Sequence, residues 1–180
     1  MAWLEDGAAA LTGAILEADE DVRTVVFLND APAPRQFWAR RQCHETTMHA
    51  VDGLSAALGR YPTGAETWID PVLARDGIDE LLGGFVTRNN SRVRCEDPLR
   101  VGVLPDDADE AWLVEVSRRP AVTTRLAVGA IGPDGLDDLD VELRASSVSL
   151  YLALWNRSDE VRVAPDLWEQ WRSQSPISWT

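Results

Sequence analysis

Apolar residues recur at helical spacing through the first half of the chain and at alternate positions through much of the second. Leu4, Ala8, Leu11 and Ile15 predict a helix over residues 2–18, despite Gly7 and Gly13. The charged run DEDVRTVVFLNDAPAPR, with its two prolines, ends it. A long helix is then expected from about Gln36 to Leu58, with Phe37, Met48, Val51, Leu54 and Leu58 along one stripe and Gly59 as its stop. A third helix fits DPVLARDGIDELLGGFVTR, with Asp70 as N-cap and Pro71 in the first turn.

After Asn89 and Asn90 the period falls from 3.6 to 2. SRVRCE, LRVGVL, AWLVEVS and AVTTRLAV read as short strands, separated by turn signals such as PDDADE and RRP. A strand at Val141–Leu143, a helix from Ser146 or Ser147 to about Trp155, a strand at Val161–Val163 and a helix opening at Pro165 complete the pattern. The fold class expected is α+β, with a helical unit over residues 1–90 and an α+β domain over 91–180.

Composition narrows the function. In 180 residues, 45% apolar content and eight tryptophans suffice for a packed core. A net charge of −13 argues against nucleic acid, which is bound largely by neutralising phosphates. No apolar run approaches the roughly 20 residues of a membrane helix, so no membrane partner and a cytoplasmic address are expected. Cys43 and Cys95 are too few and too isolated for a disulfide framework or a metal knuckle, and free thiols are expected.

The candidate chemistry lies in RRQCHETTMHAVDG, residues 40–53. At about 100° per residue, Phe37, His44, Met48, Val51 and Ser55 fall on the core side, while Glu45, His49 and Asp52 share an outer sector with Trp38. His44 and His49 are then about 140° apart, which excludes the H-E-x-x-H arrangement; the second histidine would have to be at Met48. Glu45 and His49, at i and i+4, can offer a carboxylate and an imidazole to one ion, or can be only a surface pair. His44 is better explained as a buried histidine bonded to a neighbour. Trp155 and Trp168 can line a cleft but are more simply core, and Asp52 is expected to be solvated or to support the pair.

FWARRQCHETTMHAVD resembles the signature helix of the mycothiol-dependent maleylpyruvate isomerase family. The resemblance continues through DGIDELLGGFV, the LRVGVL and AWLVEV pair, and ASSVSLYLALWNR. It implies a DinB-like helical bundle followed by a small sterol-carrier-like α/β domain. It further implies that Glu45 and His49 bind a divalent metal, zinc being the expected ion, that mycothiol is the thiol cofactor, and that Arg157 contacts a small carboxylate-bearing substrate. The arginine has a simpler reading, as a cation at a helix C-terminus. In the implied isomerisation, a thiolate adds to the cis double bond of a conjugated keto acid, the new single bond rotates, and the thiolate leaves; thiol transfer on the same platform is the related possibility.

The family's third metal ligand is a histidine upstream of everything that aligns, and no histidine precedes His44. The chain is therefore expected to be an N-terminally shortened member, with Asp6 or a second subunit as possible substitutes for the ligand. A non-catalytic binding or assembly protein that kept the scaffold is the alternative. A partial bundle would leave the stripe of residues 4–15 or 37–58 open. At about 25 cal/mol per Å², several hundred Å² would cost on the order of 10 kcal/mol, so a homodimer through the helical half is expected.

Overall fold

The computed structural model describes residues 2–127 and 138–175. Helix α1 spans Ala2–Glu17, and α2 spans Pro34–Leu58, with Pro34 in its first turn and Gly59 closing it at φ 69°. That left-handed conformation is why glycine stands there. Helix α3 spans Pro71–Asp79; the Asp70 carboxylate caps it through the Val72 amide, and it runs on without a break as a π-helical stretch, Glu80–Phe85. The fold class is α+β, as the periodicity predicts.

The strands are β1 (Leu99–Pro105), β2 (Glu110–Val116), β3 (Val122–Ala127) and β4 (Val141–Ala145). They form one mixed sheet in the order β3-β2-β1-β4, with β1 antiparallel to β2 and parallel to β4. Val103 pairs with Trp112 on one side and Leu143 on the other, so the centre of the sheet is apolar. Helix α4 (Ser147–Leu154) follows β4 directly and is buried along its whole length; α5 (Pro165–Gln174) closes the described chain. One core joins Met48 and Val51 of α2, Ile78 of α3, Trp112 of β2 and Leu150 to Leu154 of α4.

Two expected strands are absent. SRVRCE is irregular: the Arg94 amide donates to the Gln174 side chain, and the Cys95 amide and thiol donate to the carbonyls of Ser117 and Val116 without extending a ladder. Val161–Val163 has no strand partner; the Val161 carbonyl accepts instead from the Trp168 indole. The stripe on α2 also fades, since Phe37, Met48 and Val51 are buried but Leu58 is exposed. Val128, the last residue of AVTTRLAV, lies outside the described residues.

Gly77 sets the approach of α3 to α4. A Cβ there would lie 2.1 Å from the Tyr151 ring, a distance no side chain can occupy. The Gly77 carbonyl accepts from the Trp155 indole at 3.0 Å, which locks the two helices in register. This contact delivers Tyr151 and Trp155 to the inner face of α2.

Candidate functional site

The inner face of α2 is polar at its centre. Arg41 and His44 are fully buried there. His44 Nδ1 lies 2.8 Å from the Tyr151 hydroxyl, and Nε2 lies 2.7 Å from Asp76. Burial pushes the Asp76 carboxyl up, but hydrogen bonds from His44 and Arg40 and their charge outweigh it and hold it below its usual value. Burial, with the nearby Glu80 charge, drives the Tyr151 phenol well above the normal range. His44 thus clamps α2 to α3 and α4 and has no free nitrogen for a metal.

Arg41 bridges the interior to the outer face. Its guanidinium carbon sits 5.3 Å from the Phe85 ring centre and 5.2 Å from that of Trp155. Nη1 donates to buried Glu80 in a close ion pair, and Nη2 donates to Glu45 Oε1 at 2.9 Å. Burial pushes the Glu80 carboxyl up, with the Arg41 charge opposing it. Neither Arg41 nor Glu80 was singled out by the sequence reading. A signal existed for Arg41: position 41 lies four residues after Phe37 and seven before Met48, on the buried stripe.

With Oε1 held by Arg41, Glu45 turns Oε2 toward His49, whose Nε2 lies 3.5 Å away. A carboxylate oxygen and an imidazole nitrogen on a tetrahedral ion, at bonds of 2.0–2.1 Å, are separated by about 3.3 Å. The observed 3.5 Å is close to that separation and is also that of a direct i,i+4 surface pair. Asp52 stands on the other side of the ring, its Oδ2 3.6 Å from His49 Nδ1, so the two carboxylates do not converge on one point. Among the described residues, no group of three or more His, Cys, Asp or Glu side chains is placed to hold a metal. Glu45 and His49 form a pair, and Asp6, on α1, is not grouped with them.

Arg157 reaches this face by the way α4 ends. Asn156, at φ 62°, donates its amide to Ala153, and the Arg157 amide donates to Leu152 at 2.7 Å. This is the paired closure that a left-handed residue makes after a helix, and it turns Arg157 off the axis toward α2. There Nε and Nη2 donate to the two oxygens of Asp52 at 3.0 and 3.1 Å, and Nη1 donates to the Trp155 carbonyl. The hydrogen bond from Arg157 holds the Asp52 carboxyl below its usual value against partial burial. Asp52 is thus paired rather than simply solvated. A continuous line of side chains, Glu80, Arg41, Glu45, His49, Asp52 and Arg157, crosses from the core to the surface.

A family model for the mycothiol maleylpyruvate isomerase N-terminal domain matches residues 1–52, and one for the MDMPI C-terminal domain matches residues 72–167. The chain belongs to the mycothiol maleylpyruvate isomerase family. No curated protein and no solved structure is matched. The residues so far described fall in both halves of the family, since Glu45, His49 and Asp52 lie in the first match and Arg157 in the second.

Other candidates lie apart from this line. Trp155 is buried beside Arg41, and Trp168 lines an apolar cavity of about 90 Å³ between the sheet and α5, which none of the six residues above borders. Cys43 and Cys95 are both free, and burial raises each thiol above its usual value, which works against a thiolate nucleophile. Among the described residues, no helix is long and apolar enough to cross a membrane.

Proposed function

We propose that the protein is a mycothiol-dependent, divalent-metal-binding isomerase or thiol transferase acting on a small carboxylate-bearing metabolite. Its membership of the mycothiol maleylpyruvate isomerase family supports the thiol cofactor and the isomerase-like chemistry. The single observation that carries the metal reading is the 3.5 Å separation of Glu45 Oε2 and His49 Nε2 in the middle of the line from Glu80 to Arg157. A bound divalent ion, zinc being the expected one, would keep a thiol as thiolate near neutral pH. Mycothiol would supply the thiolate that adds reversibly to a cis double bond.

The chain's own residues do the rest. Glu45 and His49 hold the ion, and Arg41 fixes Glu45 so that one oxygen stays turned to His49. Arg157 grips a substrate carboxylate by two parallel N–H bonds, which fixes the bond that rotates relative to the thiol. The Arg41–Glu80 pair is buried, with the Arg41 guanidinium near the Phe85 and Trp155 rings, and closes the inner side of the Glu45–His49 pair.

A second reading, a non-catalytic binding protein on the same scaffold, is favoured by the two-donor set. Metal analysis of freshly purified protein and of Glu45→Ala and His49→Ala variants separates the two. The first reading requires about one equivalent of divalent metal in the wild type and its loss in both variants; unchanged metal content in either variant overturns the assignment. Self-association through the helical half is also proposed, on the exposure of α1. None of its residues is buried, and Trp3, Leu4, Leu11 and Leu16 face solvent. A second copy of α1 and α2 is the occupant proposed for that surface.

A further inference from the structure

We infer that Asp52 is a latch on Arg157: an internal carboxylate that occupies the edge of the guanidinium where a ligand's carboxylate would bind, and that such a ligand must displace. The inference rests on the reading of Arg157 as the substrate grip, and it adds the residue that sets how tightly, and for which anions, that grip closes.

Three observations carry it. The contact is side-on and bidentate, Nε to Oδ1 at 3.0 Å and Nη2 to Oδ2 at 3.1 Å, which is the geometry Arg offers to a free carboxylate. The third nitrogen, Nη1, donates to the Trp155 carbonyl, so turning the side-on edge of the guanidinium away from Asp52 also breaks the bond to the end of α4. Finally, the Asp52 side chain is 44% exposed and has a second place to go, since His49 Nδ1 lies 3.6 Å from its Oδ2. A released Asp52 stays in water beside an imidazole, and no charge is stranded. The Arg41–Glu80 pair, at 0% and 1% exposure, has no such exit. The two arginines of the line are therefore built differently, one as a permanent bond and one as a displaceable bond.

A latch closed roughly nine-tenths of the time weakens a competing ligand about tenfold, because apparent affinity scales with the competent fraction. A ligand with one carboxylate only trades places with Asp52. A dicarboxylate or keto acid brings further polar groups and gains more from the exchange, so the latch filters against simple monocarboxylates.

The test is an NMR titration of the full 180-residue metal-free chain with maleate, following the Arg157 Nε–H signal and the Asp52 carboxyl carbon. In the wild type the two signals should shift together with one midpoint. Asp52→Asn and Asp52→Ala should each bind maleate about tenfold more tightly, and Arg157→Gln should abolish binding with or without the Asp52 change. If the Asp52 variants bind as the wild type does, or more weakly, while Arg157→Gln still abolishes binding, the latch is refuted and the grip survives. If Arg157→Gln leaves maleate binding unchanged, or the wild type and Asp52 variants bind no maleate, the grip fails and the latch with it. Should an Asp52 variant unfold, the wild-type titration decides alone: Arg157 shifting with Asp52 unmoved overturns the latch.

Discussion

Replacing Arg41 with Met isolates the most consequential charge in the fold. Arg41 and Glu80 are 0% and 1% exposed, and Met fills much the same volume without the guanidinium. Removing one member of a buried pair leaves the other uncompensated, at a cost of about 3–5 kcal/mol. Loss of the faces toward Phe85 and Trp155 adds roughly 0.5–2 kcal/mol for each ring, part of which Met recovers by packing. At about 2–4 °C per kcal/mol for a chain of this size, the stranded charge alone should lower the midpoint by roughly 6–20 °C, and the lost ring contacts add to that. The loss should depend on pH. Burial raises the folded-state value of Glu80 above its unfolded value, and Arg41 opposes the rise most, with His44 and Arg40 behind it. Without Arg41 the folded state favours neutral Glu80, so stability is retained below the unfolded value, near 4.5, and lost as pH rises through the folded one. Denaturant unfolding followed by circular dichroism at pH 4.5 and pH 8 measures both effects. A second variant, Arg41→Met with Glu80→Leu, should recover most of the loss, because the stranded charge is gone. A single variant that loses under about 1 kcal/mol with no pH dependence refutes the reasoning.

Gly77→Ala should destabilise the protein by about 1–3 kcal/mol or more, because the new methyl meets the Tyr151 ring at 2.1 Å; thermal melting checks this, and a neutral change would show that α3 and α4 separate freely. Leu4→Glu with Leu11→Glu should shift sedimentation at tens of micromolar from dimer to monomer, because both side chains lie on the exposed face of α1 that a second copy would cover. A monomeric wild type would end the proposal of self-association.

The helices were legible because their signals are local. Gly59, Asp70 and Pro71 act on their own turns, so α2 ends and α3 begins where those residues predict, while α2 starts at Pro34, two residues before the expected Gln36. The angular placement of His44, Glu45 and His49 followed from helix geometry alone. SRVRCE and Val161–Val163 were misread because alternation measures only which residues suit a strand, whereas a strand also needs a partner, and here Gln174 and Trp168 take the backbone groups first. The π-helical stretch after Asp79 carries no pattern distinct from that of an ordinary helix. The site was half legible: Glu45 and His49 are neighbours on one helix, but the Asp52–Arg157 and Arg41–Glu80 pairs depend on packing between elements.

The spacing of those contacts along the chain gives α2 a history as well as a structure. His44 meets Tyr151 across 107 positions and Asp52 meets Arg157 across 105. Domains emerge from the ribosome N-terminal end first, so α2 is made long before anything that can satisfy its inner face. A nascent α2 carries a guanidinium and an imidazole on the stripe it must eventually bury, and sealing these without partners is unfavourable. The buried His44 finds its partners in Asp76 of α3 and Tyr151 of α4, so its desolvation is compensated only when both helices are in place. The line from Glu80 to Arg157 can therefore be complete only once α3 and the end of α4 have packed against α2.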